Sequence, residues 1–168
     1  MEKPNGSYDM LEPILRQWTT NNNINLFLLE AISSEALEAS VPNGGRSVGQ
    51  IFRHMVEVRN QWLAGIGSDH VGEKLPKSVD IRTLVHGFNA SAAAVADVIT
   101  QLGDPHAKVK GFGEDLTAFV MYLSSHDAHH RGQILLTLRI AGHRLDSKVS
   151  YGLWDWRARK HRSVDASS

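Results

Sequence analysis

The 168-residue chain contains no cysteine. Disulfides and thiolate ligands are therefore excluded, and no side chain of this protein can act as a thiol nucleophile. Any metal ion would have to be held by histidine, carboxylate or backbone oxygen. A chain without cysteine is compatible with a reducing compartment, and we expect a cytoplasmic location.

The chain also lacks a surplus of either charge, because 18 Lys and Arg residues balance 18 Asp and Glu residues. Nucleic-acid-binding proteins usually carry a basic surplus or stripe, and here only the short run RARKHR near the end is basic. No apolar run reaches the roughly 18 residues needed to cross a bilayer. The N-terminal MEKPNGSYDM lacks the apolar stretch of a secretory signal. We therefore expect a soluble globular protein with neither a nucleic-acid nor a membrane partner.

Apolar residues recur at helical spacing in four segments, and no segment alternates as a strand would. Ser47 is the predicted N-cap of the second helix, Ser78 or Asp80 that of the third, and Gly142 the C′ residue of the fourth. Helices of this length with one apolar face each pack most simply as a four-helix bundle. We therefore predict an all-α single domain spanning the whole chain, residues 1–168. The predicted helices cover about residues 9–39, 47–66, 78–102 and 114–141.

Two stretches interrupt this pattern. The polar run TTNNN, residues 19–23, breaks the apolar face of the first helix, and either a solvated turn or a polar partner inside the fold would explain it. The aromatic run YGLWDW, residues 151–156, is predicted to be ordered and could fold back over the bundle or pack across a dimer partner. Disorder is predicted for about residues 157–168. Most large aromatic side chains are expected to pack: Trp18, Trp62, Tyr122, Trp154 and Trp156.

Three histidines occur within five positions in SSHDAHHRGQILLTL, residues 124–138. Residues four apart lie above one another on a helix, so His126 and His130 fall in or beside the apolar stripe, whereas His129 lies off it. Two imidazoles one turn apart can ligate one ion. Nine histidines in the chain give about 0.4 such pairs by chance. The inward direction of this pair strengthens the metal interpretation, because buried polar groups require partners.

A third ligand would come from another helix. His54, in the middle of the second helix, is the better candidate, and His86 in the third helix is the alternative. The remaining histidines, at positions 70, 106, 143 and 161, are predicted to be solvated.

Several of these residues together resemble the DinB-like (DinB/YfiT) superfamily, whose members are described as metal-dependent enzymes. The resemblance rests on H-x-x-x-H-R-G-Q late in the last helix, a histidine near the middle of the second helix, and the closing YGLWDW. It implies a four-helix bundle with a long crossover connection, usually dimeric, that binds a divalent ion such as nickel or zinc. Transferred to this chain, the ligands would be His54, His126 and His130, which favours His54 over His86.

The resemblance also implies a function. Some similar members use low-molecular-weight thiols such as mycothiol or bacillithiol, and others are described as hydrolases. We therefore expect a homodimeric metal-dependent enzyme of thiol S-transferase or hydrolase type, acting on a small molecule, whose metal ion activates a thiol or a water. The alternative is a non-catalytic, metal-binding, stress-related dimeric module, because no obvious general acid accompanies the triad.

Two carboxylates are candidates for a supporting role beside the metal. Asp127 could accept the free N–H of a ligating imidazole or act in acid–base chemistry, and Glu57 follows His54 by three residues. For each of them the alternative is an ordinary surface carboxylate. Arg131 and Gln133 are interpreted as making structural hydrogen bonds, and Gly132 as permitting close helix packing.

Overall fold

The computed structural model describes residues 11–69 and 71–160, and within these two ranges it contains helices and no β-strand. The all-α prediction is therefore confirmed. None of the helices described is both long and apolar enough to cross a membrane. In chain order the helices are α1 (Leu11–Glu30), α2 (Ser34–Leu37), α3 (Val48–Gly65), α4 (Ile81–Leu102), α5 (Leu116–Ile140), α6 (Ser147–Gly152) and α7 (Trp156–Arg159).

Local capping explains where the long helices begin and end. Ser47 caps α3 in a capping box, in which its hydroxyl accepts from the Gln50 backbone N–H while the Gln50 side chain accepts from that of Ser47. Asp80, rather than Ser78, caps α4. Gly142 follows the end of α5 with φ at +86°, a conformation that costs glycine little.

The predicted first helix is wrong in its length. It is divided into α1 and α2 by a turn that ends at Ser33, whose side chain accepts a hydrogen bond from the backbone N–H of Ala36. An N-cap of this kind starts a new helix instead of continuing the old one.

The four long helices pack around a common centre. Helix α1 packs against α4 and α5, and α3 packs against the same two helices, so α1 and α3 lie at opposite corners. The connection through residues 31–47, which includes α2, therefore joins two diagonal helices. This arrangement forms an α3–α5 seam on one side of α5 and an α1–α5 seam on the other.

The interior consists of two apolar clusters, one towards each end of the long helices. Between them, at the middle of α1, α3, α4 and α5, lies a layer of buried polar side chains. Representative apolar residues are Leu28, Phe52 and Phe88 in one cluster, and Trp18, Val95 and Phe119 in the other.

The C-terminal segment folds back onto α1. The Asn23 side-chain amide donates to the backbone oxygen of Arg159 at 2.8 Å, and the Arg159 guanidinium lies 3.6 Å from the centre of the Phe27 ring. Residues 157–159 are thus helical, whereas residues 161–168 of the predicted disordered tail lie outside the described residues. Trp154 and Trp156 are 80% and 46% exposed, so these two are exceptions to the expectation that most large aromatic side chains pack.

Candidate metal centre

Three histidines meet at the α3–α5 seam. His54 lies in the middle of α3, and His126 and His130 lie one turn apart on α5. One possible ligand atom from each of them lies within 4.8 Å of the other two. His130 is buried and the other two are half-buried. The predicted triad is therefore brought together, while the alternative ligand His86 is exposed on α4 and is not part of this group.

The spacing of the imidazoles suits a metal ion. Bonds of 2.0–2.1 Å to nitrogen place neighbouring ligand atoms about 3.0 Å apart in an octahedral site and about 3.3 Å apart in a tetrahedral one. The Nε2 atoms of His126 and His130 are 3.1 Å apart. For His54 to bind the same ion, its ligand nitrogen has to move by on the order of 1–2 Å. A rotation of the side chain can supply this movement. The residues present therefore fit a divalent ion bound by nitrogen.

The protonation state of the triad also suits a metal. Burial lowers the pKa of His126 to about 4, and the neighbouring His130 adds to this effect. Burial is likewise the main reason why the pKa values of His54 and His130 are lowered, with a further contribution at both from the guanidinium of Arg46. At neutral pH the three imidazoles are consequently uncharged, with lone pairs available for coordination.

Gln133 fixes the orientation of two histidine rings. Its side-chain oxygen lies 2.8 Å from Nδ1 of His130, and its amide nitrogen lies 2.9 Å from Nε2 of the exposed His129. In the tautomer in which His130 Nδ1–H donates to this oxygen, Nε2 of His130 is unprotonated and directed towards His126. Such a contact is how proteins commonly orient a ligating imidazole.

Asp127 makes its contacts away from the histidines, in the buried polar layer. Its Oδ2 accepts hydrogen bonds from Asn21 at 2.7 Å, Asn25 at 2.9 Å and Arg59 at 2.7 Å. Its Oδ1 is buried and has no partner in the described part of the chain. The contacts of Asp127 are therefore those of a structural ion pair, and they do not include a triad imidazole.

Arg59 connects Asp127 to the other long helices. Its Nη1 donates to the Asn22 side chain at 2.8 Å and to the Ser91 hydroxyl at 3.2 Å. The guanidinium also lies over the rings of Trp18 and Phe88, at 4.7 and 4.9 Å. This buried cation is thus surrounded by polar and aromatic partners on α1, α4 and α5. We call the polar group the Asp127 network: Asn21, Asn22, Asn25, Arg59, Ser91, Asp127 and Arg131.

Arg131 completes this network with structural hydrogen bonds. Its Nη1 donates to the side-chain oxygens of Asn21 and Asn25, at 2.9 and 2.6 Å. Asn21 and Asn22 of the polar run at residues 19–23 therefore face a polar interior, and the run is part of a helix, not a solvated turn. A Cβ at Gly132 would meet no atom of the described residues within 4 Å, so among them no close helix packing of the kind predicted requires this glycine.

Glu57 is paired with its neighbour on α3. Its Oε1 accepts from Nη2 and Nε of Arg53, at 2.7 and 3.0 Å. It lies close enough to His54 to oppose the lowering of that residue's pKa. Arg46, an exposed residue in the loop before α3, is the cation whose position near the triad the sequence did not indicate.

Comparisons with known proteins identify the family of this chain but no individual relative. No curated protein and no solved structure matches the chain. The family model described as the DinB family matches residues 1–158, which is nearly the whole sequence. Because the match includes all three triad histidines and every helix except the last residue of α7, we conclude that this chain belongs to the DinB family.

Proposed function

We propose that the protein binds one divalent metal ion, nickel or zinc, through His54, His126 and His130. The observation that carries this proposal is the convergence of three neutral imidazoles, from two helices, within 4.8 Å of one another. Membership of the DinB family supports it. The nitrogen ligand set suits either metal.

We further propose that the bound metal makes the protein an enzyme of thiol S-transferase or hydrolase type. Held by three protein ligands, the ion would keep a position open and lower the pKa of a thiol or water there. The chain's own residues prepare the site, since Gln133 orients His130 and burial keeps the triad uncharged. A thiol nucleophile would come from a small-molecule substrate, because the chain has no cysteine. A homodimer, implied by the resemblance, and a cytoplasmic location, expected from the lack of cysteine, are part of this proposal.

The carboxylates have secondary roles in this proposal. Asp127 stabilises the helix that carries two of the ligands, and Glu57 acts on the site through its charge near His54. Within residues 11–69 and 71–160, no carboxylate accepts a hydrogen bond from a triad imidazole, and this favours a second candidate function. In that alternative the protein is a metal-binding module without turnover.

Metal content tests the first step. Untagged protein is purified, and its metal is measured by mass spectrometry for the wild type, for His126→Ala/His130→Ala and for His86→Ala. We expect about one nickel or zinc ion per chain in the wild type and in His86→Ala, and almost none in the double variant. If the wild type remains metal-free after reconstitution with either ion, the triad is not a metal site.

Activity separates the two functions. The metal-loaded protein is assayed for thiol-dependent conjugation and for ester and amide hydrolysis, beside the double variant. Turnover that disappears in the double variant supports the enzyme. A loaded protein without turnover in any of these assays supports the metal-binding module.

A further inference from the structure

A second concave site lies on the other side of α5 from the triad, along the α1–α5 seam. This groove has a volume of about 500 Å³, within the range of small-molecule sites. Its walls are mostly apolar and include Ile14, Val120, Met121 and Trp156. None of the triad histidines lines it.

The groove contains a guanidinium with unused donors. Arg131 reaches its floor, where Nη1 is bonded to Asn21 and Asn25. Its Nε and Nη2 bond no described residue, and neither is among the buried unpaired atoms, so both keep exposed surface on a residue that lines the groove. An arginine offers its donors as a planar fork that matches a carboxylate.

The charge around Arg131 is not balanced within the described residues. The Asp127 network holds two guanidinium groups, those of Arg59 and Arg131, but one carboxylate. Asp127 pairs at 2.7 Å with Arg59, and no salt bridge within 4.0 Å involves Arg131. One positive charge therefore remains at the floor of an apolar groove, where a partly desolvated cation gains most from an anionic partner.

We propose that this groove binds an amphipathic carboxylic acid. Its carboxylate pairs with Nε and Nη2 of Arg131, and its apolar body lies along Ile14, Val120 and Met121. The charge, the free donors and the apolar walls all select this ligand class over a neutral molecule. The site is independent of the proposed metal function, because its residues lie on the opposite seam.

Decanoate is a suitable probe, with decan-1-ol as its uncharged counterpart. Full-length protein carrying ¹³C-methyl methionine is titrated with each in the presence of EDTA, so that metal coordination cannot contribute. Met121 lines the groove and is 63% exposed, whereas Met55 is fully buried in the core. We expect decanoate to shift the Met121 methyl resonance and to leave that of Met55 unchanged.

Variants at Ala128, an exposed groove residue, test the role of charge without removing any side chain of the Asp127 network. Ala128→Glu places a carboxylate three residues before Arg131, where it competes for the guanidinium. We expect decanoate to bind this variant about tenfold or more weakly, as expected for loss of a hydrogen-bonded charge pair, and Ala128→Gln to bind like the wild type.

Arg131→Gln should weaken decanoate binding by a similar factor, whereas Arg139→Gln, an exposed arginine further along α5, should not. Decan-1-ol should bind all these proteins equally and weakly. Equal affinity of the wild type for decanoate and decan-1-ol would overturn the proposal. Wild-type affinity in Ala128→Glu, or a titration in which Met121 does not shift, would also overturn it.

Discussion

Two polar clusters meet on α5 within the six residues 126–131, and their partners differ. In the Asp127 network, a buried carboxylate accepts three hydrogen bonds and pairs with a buried guanidinium. In the triad, the side-chain partners of the His126 and His130 rings are one another and Gln133, and burial lowers the pKa values of all three histidines. A buried carboxylate held by three donors and paired with a buried guanidinium is typical of a structural cluster. A cluster of uncharged imidazoles that face one another is compatible with a bound metal ion.

Helical geometry allows both clusters to share one helix. Adjacent residues project about 100° apart, so Asp127 points to the centre of the fold while His126 points to the α3–α5 seam. A structural Asp127 network and a metal-binding triad predict that substitutions in the two clusters have separable effects. Those in the Asp127 network act on stability, and those at the triad act on metal affinity.

The largest effect is expected from Asp127→Ala. This change leaves the guanidinium of Arg59, which has no exposed surface, without its counter-charge. We expect the free energy of unfolding to fall by about 3–5 kcal/mol, measured by urea denaturation followed by circular dichroism. Glu57→Ala is the matched control, because its pair with Arg53 is partly solvated and should contribute at most about 1 kcal/mol. Equal losses in the two variants would contradict the comparison.

A smaller effect is expected from Gln133→Leu. Loss of the acceptor for His130 Nδ1 frees the ring to change tautomer and orientation. We expect metal affinity to fall about 10- to 100-fold, measured by competition with a chromophoric chelator, with little change in stability. Gln133→Glu keeps an acceptor at the same position and should retain affinity. A leucine variant that binds metal like the wild type would show that Gln133 does not orient the ligand.

The smallest effect concerns pH and the metal-free protein. Burial lowers the pKa of His126 to about 4 in the folded protein, from an ordinary value of 6.5. Below about pH 6.5 the His126 imidazole is protonated in the unfolded chain but stays neutral in the folded protein. The free energy of unfolding therefore decreases progressively as the pH falls from about 6.5 towards 4. We expect the urea midpoint to decrease from about pH 7.5 to about pH 5, and to decrease less in His126→Gln. An identical pH dependence in the variant would assign the effect to other groups.

Local sequence signals predicted the local features of this structure. Ser47 and Gly142 act within a few residues of themselves, so their roles follow from residue type and spacing. His126 and His130 were found in the same way, from helical periodicity. The choice of His54 depended on the family resemblance, because spacing along one helix says nothing about a residue on another.

Long-range partners could not be predicted. The polar run at residues 19–23 allowed two interpretations because its partner, Asp127, lies more than 100 positions away. A separation of 68 positions hid the Arg59–Asp127 pair, so the sequence offered only the nearby histidines or the solvent as surroundings for Asp127. By contrast, the Arg53–Glu57 pair lies at i, i+4 and was accessible from spacing alone.

The Asp127 network draws a member from every long helix, and this has a consequence for how the protein unfolds. If any one of these helices detaches, its member of the network loses hydrogen bonds to buried partners on the other helices. The free energy of partial opening is therefore close to that of complete unfolding, and the four helices unfold together. Backbone amides on both sides of the layer, in all four helices, should exchange with deuterium at a common rate set by global unfolding.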